Sequence, residues 1–126
     1  MKELIYKELS YKLIGFAYQI DNEIGFGQSE KVYSGAFEKL LEKEKIVFKR
    51  ELYAPINISG ELVAKRYFDF LIDGKIVVEI KVGDYSYKKV CTQLFQYLKQ
   101  ENYKLGLIIR FNKNGVTSKR IPNLTD

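Results

Sequence analysis

Residues 66–82 read RYFDFLIDGKIVVEIKV, two extended apolar runs joined at Asp73-Gly74. An Asp-Gly pair between such runs is a strong short-range signal for a β-hairpin. In the second run, alternation sends Val77, Glu79 and Lys81 to one face and Ile76, Val78, Ile80 and Val82 to the other. Glu79 and Lys81 are therefore neighbours, and whether Asp69 joins them depends on the loop. A two-residue loop would pair Ile72 with Lys75, setting Asp69 opposite Val78 on the wrong face. A three-residue loop, Ile72-Asp73-Gly74, pairs Leu71 with Lys75 and places Asp69 opposite Val77, diagonal to Glu79. That loop needs a left-handed residue in third place, so we expect Gly74 to have positive φ.

Two carboxylates converging from adjacent strands suit a hard divalent cation, Mg²⁺ first and Mn²⁺ second, with water completing the shell. A lysine beside them can orient an attacking water or stabilise charge on a phosphate. An exposed hairpin with an ordinary Glu–Lys pair has the same spacing. Against that, residues 76–82 are apolar on both faces, and a buried strand carrying an acid and an amine needs a reason.

Outward from the hairpin, Leu13, Ala17, Ile20 and Ile24 recur at helical spacing, predicting a first helix over Ser10–Glu23 with Ser10 as N-cap and Gly25 closing it. Val32, Ala36, Phe37, Leu40 and Leu41 predict a second, from Ser29 to about Lys45, with Glu30 in its first turn. There Glu30 complements the helix dipole whether or not it does chemistry. Residues 47–58 read as extended, with Pro55 at an edge or bulge, Ser59-Gly60 as a turn, and Leu62–Ile72 as one returning strand. Gly83-Asp84 ends the hairpin. A third helix is expected from about Ser86 to Gln100, carrying Gln93 and Tyr97 on one face, then a strand over Lys104–Phe111 and a short edge strand over Val116–Ile121. The order α-α-β-β-β-α-β predicts a single domain over residues 1–126. Its class is α/β (α+β), with a mixed sheet of four to five strands flanked by helices, the first three strands as a meander.

Composition narrows the chemistry. The 126 residues include no histidine, which removes histidine triads and most zinc sites. Residues 1–80 hold 12 Lys/Arg against 13 Asp/Glu, whereas residues 81–120 hold 9 against 2. The basic charge thus belongs to the C-terminal third and fits a polyanionic partner or a solvated surface. No apolar run approaches the roughly 18 residues of a membrane span, and the charged start MKELIYKELSYK lacks a secretory h-region. The single Cys91 reads as a small buried apolar side chain, and a cytoplasmic location is expected.

Taken together, these residues resemble a known family. Gly27-Gln28-Ser29-Glu30-Lys31-Val32-Tyr33 matches the GxxExxY motif, led in by DNEIGFG. Arg50-Glu51, Asp69, Glu79-Ile80-Lys81 and Gln93-Leu94-Phe95-Gln96-Tyr97-Leu98-Lys99 follow in that family's order. The chain is similar to the GxxExxY proteins, a branch of the PD-(D/E)XK nuclease superfamily, from about Leu9 to Ile121. Two positions depart from the pattern: Phe26 stands where relatives often have proline, and Phe68 replaces the proline of the superfamily's name. The resemblance implies a restriction-endonuclease-like core and a metal site with Asp69 and Glu79 as ligands. It further implies Lys81 as the catalytic lysine, Glu30 as an added carboxylate, and Gln93 and Tyr97 lining the site. A Mg²⁺-dependent nuclease acting on nucleic acid, DNA ahead of RNA, follows as the expected function. Its backbone contacts are expected from Lys88, Lys89, Lys99, Lys104, Arg110, Lys113, Lys119 and Arg120. A catalytically silent nucleic-acid-binding or protein-interaction module on the same fold is the alternative. A homodimer would bring two active sites to two strands.

Overall fold

The computed structural model describes residues 4–83 and 87–124. Helix α1 covers Lys7–Ile24 and α2 covers Glu30–Lys43, followed by strands β1 (Phe48–Tyr53), β2 (Ile56–Ile58), β3 (Glu61–Ala64), β4 (Tyr67–Ile72) and β5 (Ile76–Val82). Helix α3 (Tyr87–Glu101) then leads to β6 (Leu105–Asn112) and β7 (Gly115–Pro122). The expected start of the third helix at Ser86, and Asp84 of the expected break, lie outside the described residues.

The main sheet has five strands in the order β1-β4-β5-β6-β7. Among the described residues only β5 and β6 pair in parallel, joined by the α3 crossover, and the other neighbours are antiparallel. This is the mixed, helix-flanked α+β sheet expected from the sequence. One face packs on α1 and α2 through Leu13, Phe16, Phe37 and Leu41 against Phe70, Ile80, Leu107 and Ile109. The other packs on α3 through Leu94 and Leu98 against Leu71, Val77 and Ile108. Each large apolar side chain buried there contributes about 1.5–3 kcal/mol. Helix α3 lies so close that a Cβ on Gly106 would meet Leu94 Cδ2 at 2.7 Å, which is why that strand position carries no side chain.

Four local expectations need correction. Ser10 is not an N-cap; it lies inside α1, buried, with Tyr6 at the cap. The run from Leu62 to Ile72 is two strands, because the hairpin's strands are interrupted at Ala54-Pro55 and at Lys65-Arg66 and its tip is a separate β2–β3 ribbon. The meander therefore runs β1–β4–β5, with the ribbon inserted between its first two strands. Finally, the β4–β5 loop has three residues, but they are Asp73-Gly74-Lys75. Ile72 pairs with Ile76 and Phe70 with Val78. Asp73 and Gly74 are both left-handed, at φ 53° and 65°, and Lys75 donates back to the Ile72 carbonyl at 2.8 Å. Gly74 has the expected positive φ, while Asp69 comes level with Glu79 instead of Val77.

Candidate active site

The face of Asp69 cannot be read from alternation, because alternation breaks at this residue. Phe70 lies in the layer under α1 and α2, yet Phe68 lies under α3. Across the ladder, β1 makes the same slip at Glu51, which is held left-handed at φ 52°. A non-glycine residue there costs roughly 1–3 kcal/mol, and such strain clusters at functional sites. The consequence is that the ladder between β4 and β5 ends at Phe70 and Val78, and two carboxylates occupy the notch. Asp69 Oδ2 accepts the Ile80 N–H at 2.6 Å, while Glu79 Oε1 accepts the Asp69 N–H at 3.1 Å. Side-chain oxygens thus replace the missing backbone acceptors, and both acids are fixed by the main chain opposite.

The notch is electrostatically crowded. Glu79 is 9 % exposed; burial first and Asp69 second push its carboxyl up to about 8. Lys81 Nζ lies 3.3 Å from Glu79 Oε2. Burial opposes the charge of Lys81, but Glu79, then Glu30 and Asp69, outweigh it and raise its pKa above the ordinary lysine value. Lys81 is therefore an ammonium at neutral pH, a donor and positive charge rather than a base. Glu30 approaches from α2. Burial raises its pKa, Lys81 opposes that shift, and Asp69 adds to it, so Glu30 sits within the field of both groups.

The GxxExxY segment explains how Glu30 is delivered. Ser29 caps α2 by accepting the Val32 N–H at 3.3 Å, making Glu30 the first helical residue. Tyr33, fully buried, stacks on Phe111 with ring centroids 4.1 Å apart and planes 5° from parallel. Its hydroxyl donates to the Gly25 carbonyl at 2.6 Å and accepts the Gln28 N–H at 3.4 Å. Gly25 and Gly27 have φ of 69° and 118°, so the glycines let the loop fold back onto Tyr33. The sequence marked Tyr33 as part of a motif; its role as the loop's anchor appears only in three dimensions.

Asp69 and Glu79 bring two carboxylates to one notch, an open donor set and not a closed cage. Among the described residues no group of three or more His, Cys, Asp or Glu is gathered tightly enough to enclose a metal. A pair of carboxylates with water completing the shell is how Mg²⁺ is commonly held.

The remaining candidates separate by position. Gln93 is half-buried on α3, where Lys88, Lys89, Thr92 and Gln93 line a shallow cavity of about 440 Å³. Tyr97 is buried against Phe68 and Tyr103 with the Arg66 guanidinium over its ring. Burial, with Tyr103 and Glu101, pushes its hydroxyl to about 12. It supports the strand at Asp69 through Phe68. Arg110 is the register partner of Lys81 on the next strand; its guanidinium covers Tyr87 at 4.6 Å and bonds Thr117. Lys88 and Lys89, early in α3, and Lys113, in the β6–β7 turn, are exposed at this same end of the sheet. Lys99 and Lys104 lie toward the far end, and Lys119 is exposed within β7 beside Ile108.

Arg120, another of the expected nucleic-acid contacts, has partners within the fold. It donates to Ser10 Oγ and the Ile5 carbonyl, tying β7 to α1. Arg120→Ala should lower stability by about 1–3 kcal/mol and leave nucleic-acid binding by the folded protein unchanged within about twofold. Arg110→Ala should weaken binding and flatten its salt dependence by roughly one unit of slope. Thermal melts and salt titrations of binding separate the two.

Among the described residues, no helix is long and apolar enough to cross a membrane. No curated protein matches the chain. Among solved structures, the crystal structure of SSO0001 is similar at a TM-score of 0.54 and 23% identity, over 96% of this chain and 60% of that one. The present chain thus spans less than two thirds of that protein's length, and the likeness concerns the fold. The model of the PD-(D/E)XK nuclease superfamily matches residues 7–121, the span that contains both strands of the notch and all three helices, and the chain belongs to that superfamily.

Proposed function

We propose that the protein is a divalent-metal-dependent nuclease of the GxxExxY branch, acting in the cytoplasm on nucleic acid, with DNA ahead of RNA. The observation that carries this reading is the notch at which β4 and β5 part, where Asp69 and Glu79 are fixed by backbone N–H groups with Lys81 3.3 Å from Glu79. Support for the branch comes from Gly27, Glu30 and Tyr33, which act as one device for delivering a third carboxylate. Mg²⁺ or Mn²⁺ held by Asp69 and Glu79 would polarise the scissile phosphate and lower the pKa of bound water. Lys81, kept protonated by its acidic neighbours, donates to the attacking water or to a phosphoryl oxygen and balances charge as the phosphate becomes more negative. Glu30 reinforces the acidic side of the notch, and Arg110, Lys88, Lys89 and Lys113 supply backbone contacts around it.

The test is hydrolysis of single-stranded, duplex and branched DNA and of RNA in Mg²⁺ or Mn²⁺, by wild type, Asp69→Ala and Lys81→Ala. Metal-dependent cleavage that both substitutions remove is the expected result. Binding without cleavage on every substrate, unchanged in both variants, would instead establish a catalytically silent binding module.

A further inference from the structure

The long hairpin that contains the β2–β3 ribbon leaves the main sheet at the end where Asp69, Glu79 and Lys81 lie. Every residue of β2 and β3 is exposed, including Ile56, Ile58, Leu62 and Val63. At the ribbon's base Tyr53 pairs with Tyr67. Their ring centroids are 5.2 Å apart, and the residues are 45% and 53% exposed. Leu52 and Phe68 beside them are buried under α3, so alternation turns both tyrosines to the α2 side, from which Glu30 approaches the notch, while Glu79 and Lys81 alternate with Val77 on the α3 side of β5. Tyr67 precedes Asp69 by two residues, about 7 Å of strand.

A cross-strand tyrosine pair helps hold a ribbon together, but that does not call for rings left half-exposed at the base of a ribbon whose aliphatic side chains are exposed too. Exposed apolar surface of this kind marks an interaction site. Its setting favours one class of occupant. Exposed Lys65 lies two residues before Tyr67, and Asp69 of the proposed phosphodiester site lies two residues after it. Aromatic faces beside cations are how proteins hold unpaired bases, since every base offers a π-face for stacking. In intact duplex those faces are already occupied by neighbouring bases.

We infer that Tyr53 and Tyr67 form a stacking platform for unpaired bases, with the β2–β3 ribbon as its outer wall. On that basis the site takes nucleic acid with a single-stranded segment, such as a flap, fork or overhang, in preference to blunt duplex. This rests on the nuclease reading above and narrows its substrate.

The experiment is equilibrium binding of dye-labelled single-stranded, forked and blunt-duplex DNA in Ca²⁺, used to hold the site without turnover. It compares wild type, Tyr53→Ala/Tyr67→Ala and Tyr53→Phe/Tyr67→Phe. Wild type should bind the single strand and fork about tenfold or more tighter than blunt duplex. The alanine variant should lose roughly 10- to 100-fold on those two and change less than about twofold on blunt duplex. The phenylalanine variant, which keeps the rings and the ribbon, should match wild type. Equal wild-type affinity for fork and blunt duplex overturns the platform and leaves the nuclease reading standing, as does an equal alanine loss on both. An alanine variant that binds normally but changes from dimer to monomer assigns the ribbon to a protein contact and overturns the platform as well. Failure of wild type to bind or cut any nucleic acid removes the nuclease reading itself, and the platform with it.

Discussion

Asp69→Ala is expected to lose about 10³-fold or more in metal-dependent cleavage, and Asp69→Asn nearly as much, while the two diverge in stability. On the proposed mechanism both remove an anionic metal ligand, and several kcal/mol of charge stabilisation at the phosphate corresponds to that loss in rate. Stability follows a different atom. Asp69 Oδ2 is the acceptor for the Ile80 N–H at 2.6 Å, at a point where the sheet ladder offers no carbonyl. Alanine leaves that donor without a partner, costing about 1–3 kcal/mol, whereas the asparagine carbonyl can still accept it. Both substitutions also remove the negative charge that Asp69 sets against buried Glu79, a gain common to the pair. Without divalent cation, Asp69→Asn should therefore melt at or above wild type and Asp69→Ala about 1–3 kcal/mol below Asp69→Asn. Equal melting temperatures for the two variants would mean that the carboxylate does not hold the notch open. Added Mg²⁺ should raise the melting temperature of wild type and neither variant, because only binding to the folded state stabilises it.

The hairpin that holds this site was legible in the sequence, and its register was not. Asp73-Gly74 marked the turn, and alternation placed Glu79 beside Lys81. The sequence did not show that Lys75 would be drawn into the loop. Nor did it show that Asp69 would sit where β4 changes faces. That change is matched by Glu51 on the neighbouring strand, left-handed at φ 52°, and a glutamate carries no local signal for such a conformation. The α2 terminus was legible for the opposite reason. Ser29 is a good capping residue and the apolar stripe behind it is regular, so Glu30 fell where expected. Its approach to Asp69 and Lys81 is a property of topology, set by how α2 packs on the sheet. Arg120 shows the limit of charge counting: its partners, Ser10 and Ile5, are more than 100 residues away in sequence, and no local pattern announces them.

Tyr33 gives the second large effect, and two substitutions divide its work. Tyr33→Ala removes a fully buried ring stacked on Phe111 and should destabilise the protein by about 3–5 kcal/mol, as aromatic-to-alanine changes in cores do. Tyr33→Phe keeps the stack and deletes only the hydroxyl that bonds Gly25 and Gln28. Its stability cost should be about 0.5–1.5 kcal/mol. Cleavage should fall further than that small loss implies, about tenfold, with a higher Mg²⁺ concentration needed for half-maximal rate. The loop that Tyr33 anchors is the one that presents Glu30, and a misplaced carboxylate weakens the acidic side of the notch. Glu30→Gln provides the control. If Tyr33 acts through Glu30, adding Tyr33→Phe to Glu30→Gln should change the rate and its metal dependence little, a non-additive double-mutant cycle. Full additivity would make the Tyr33 hydroxyl a purely structural group and separate the tyrosine of the motif from its glutamate.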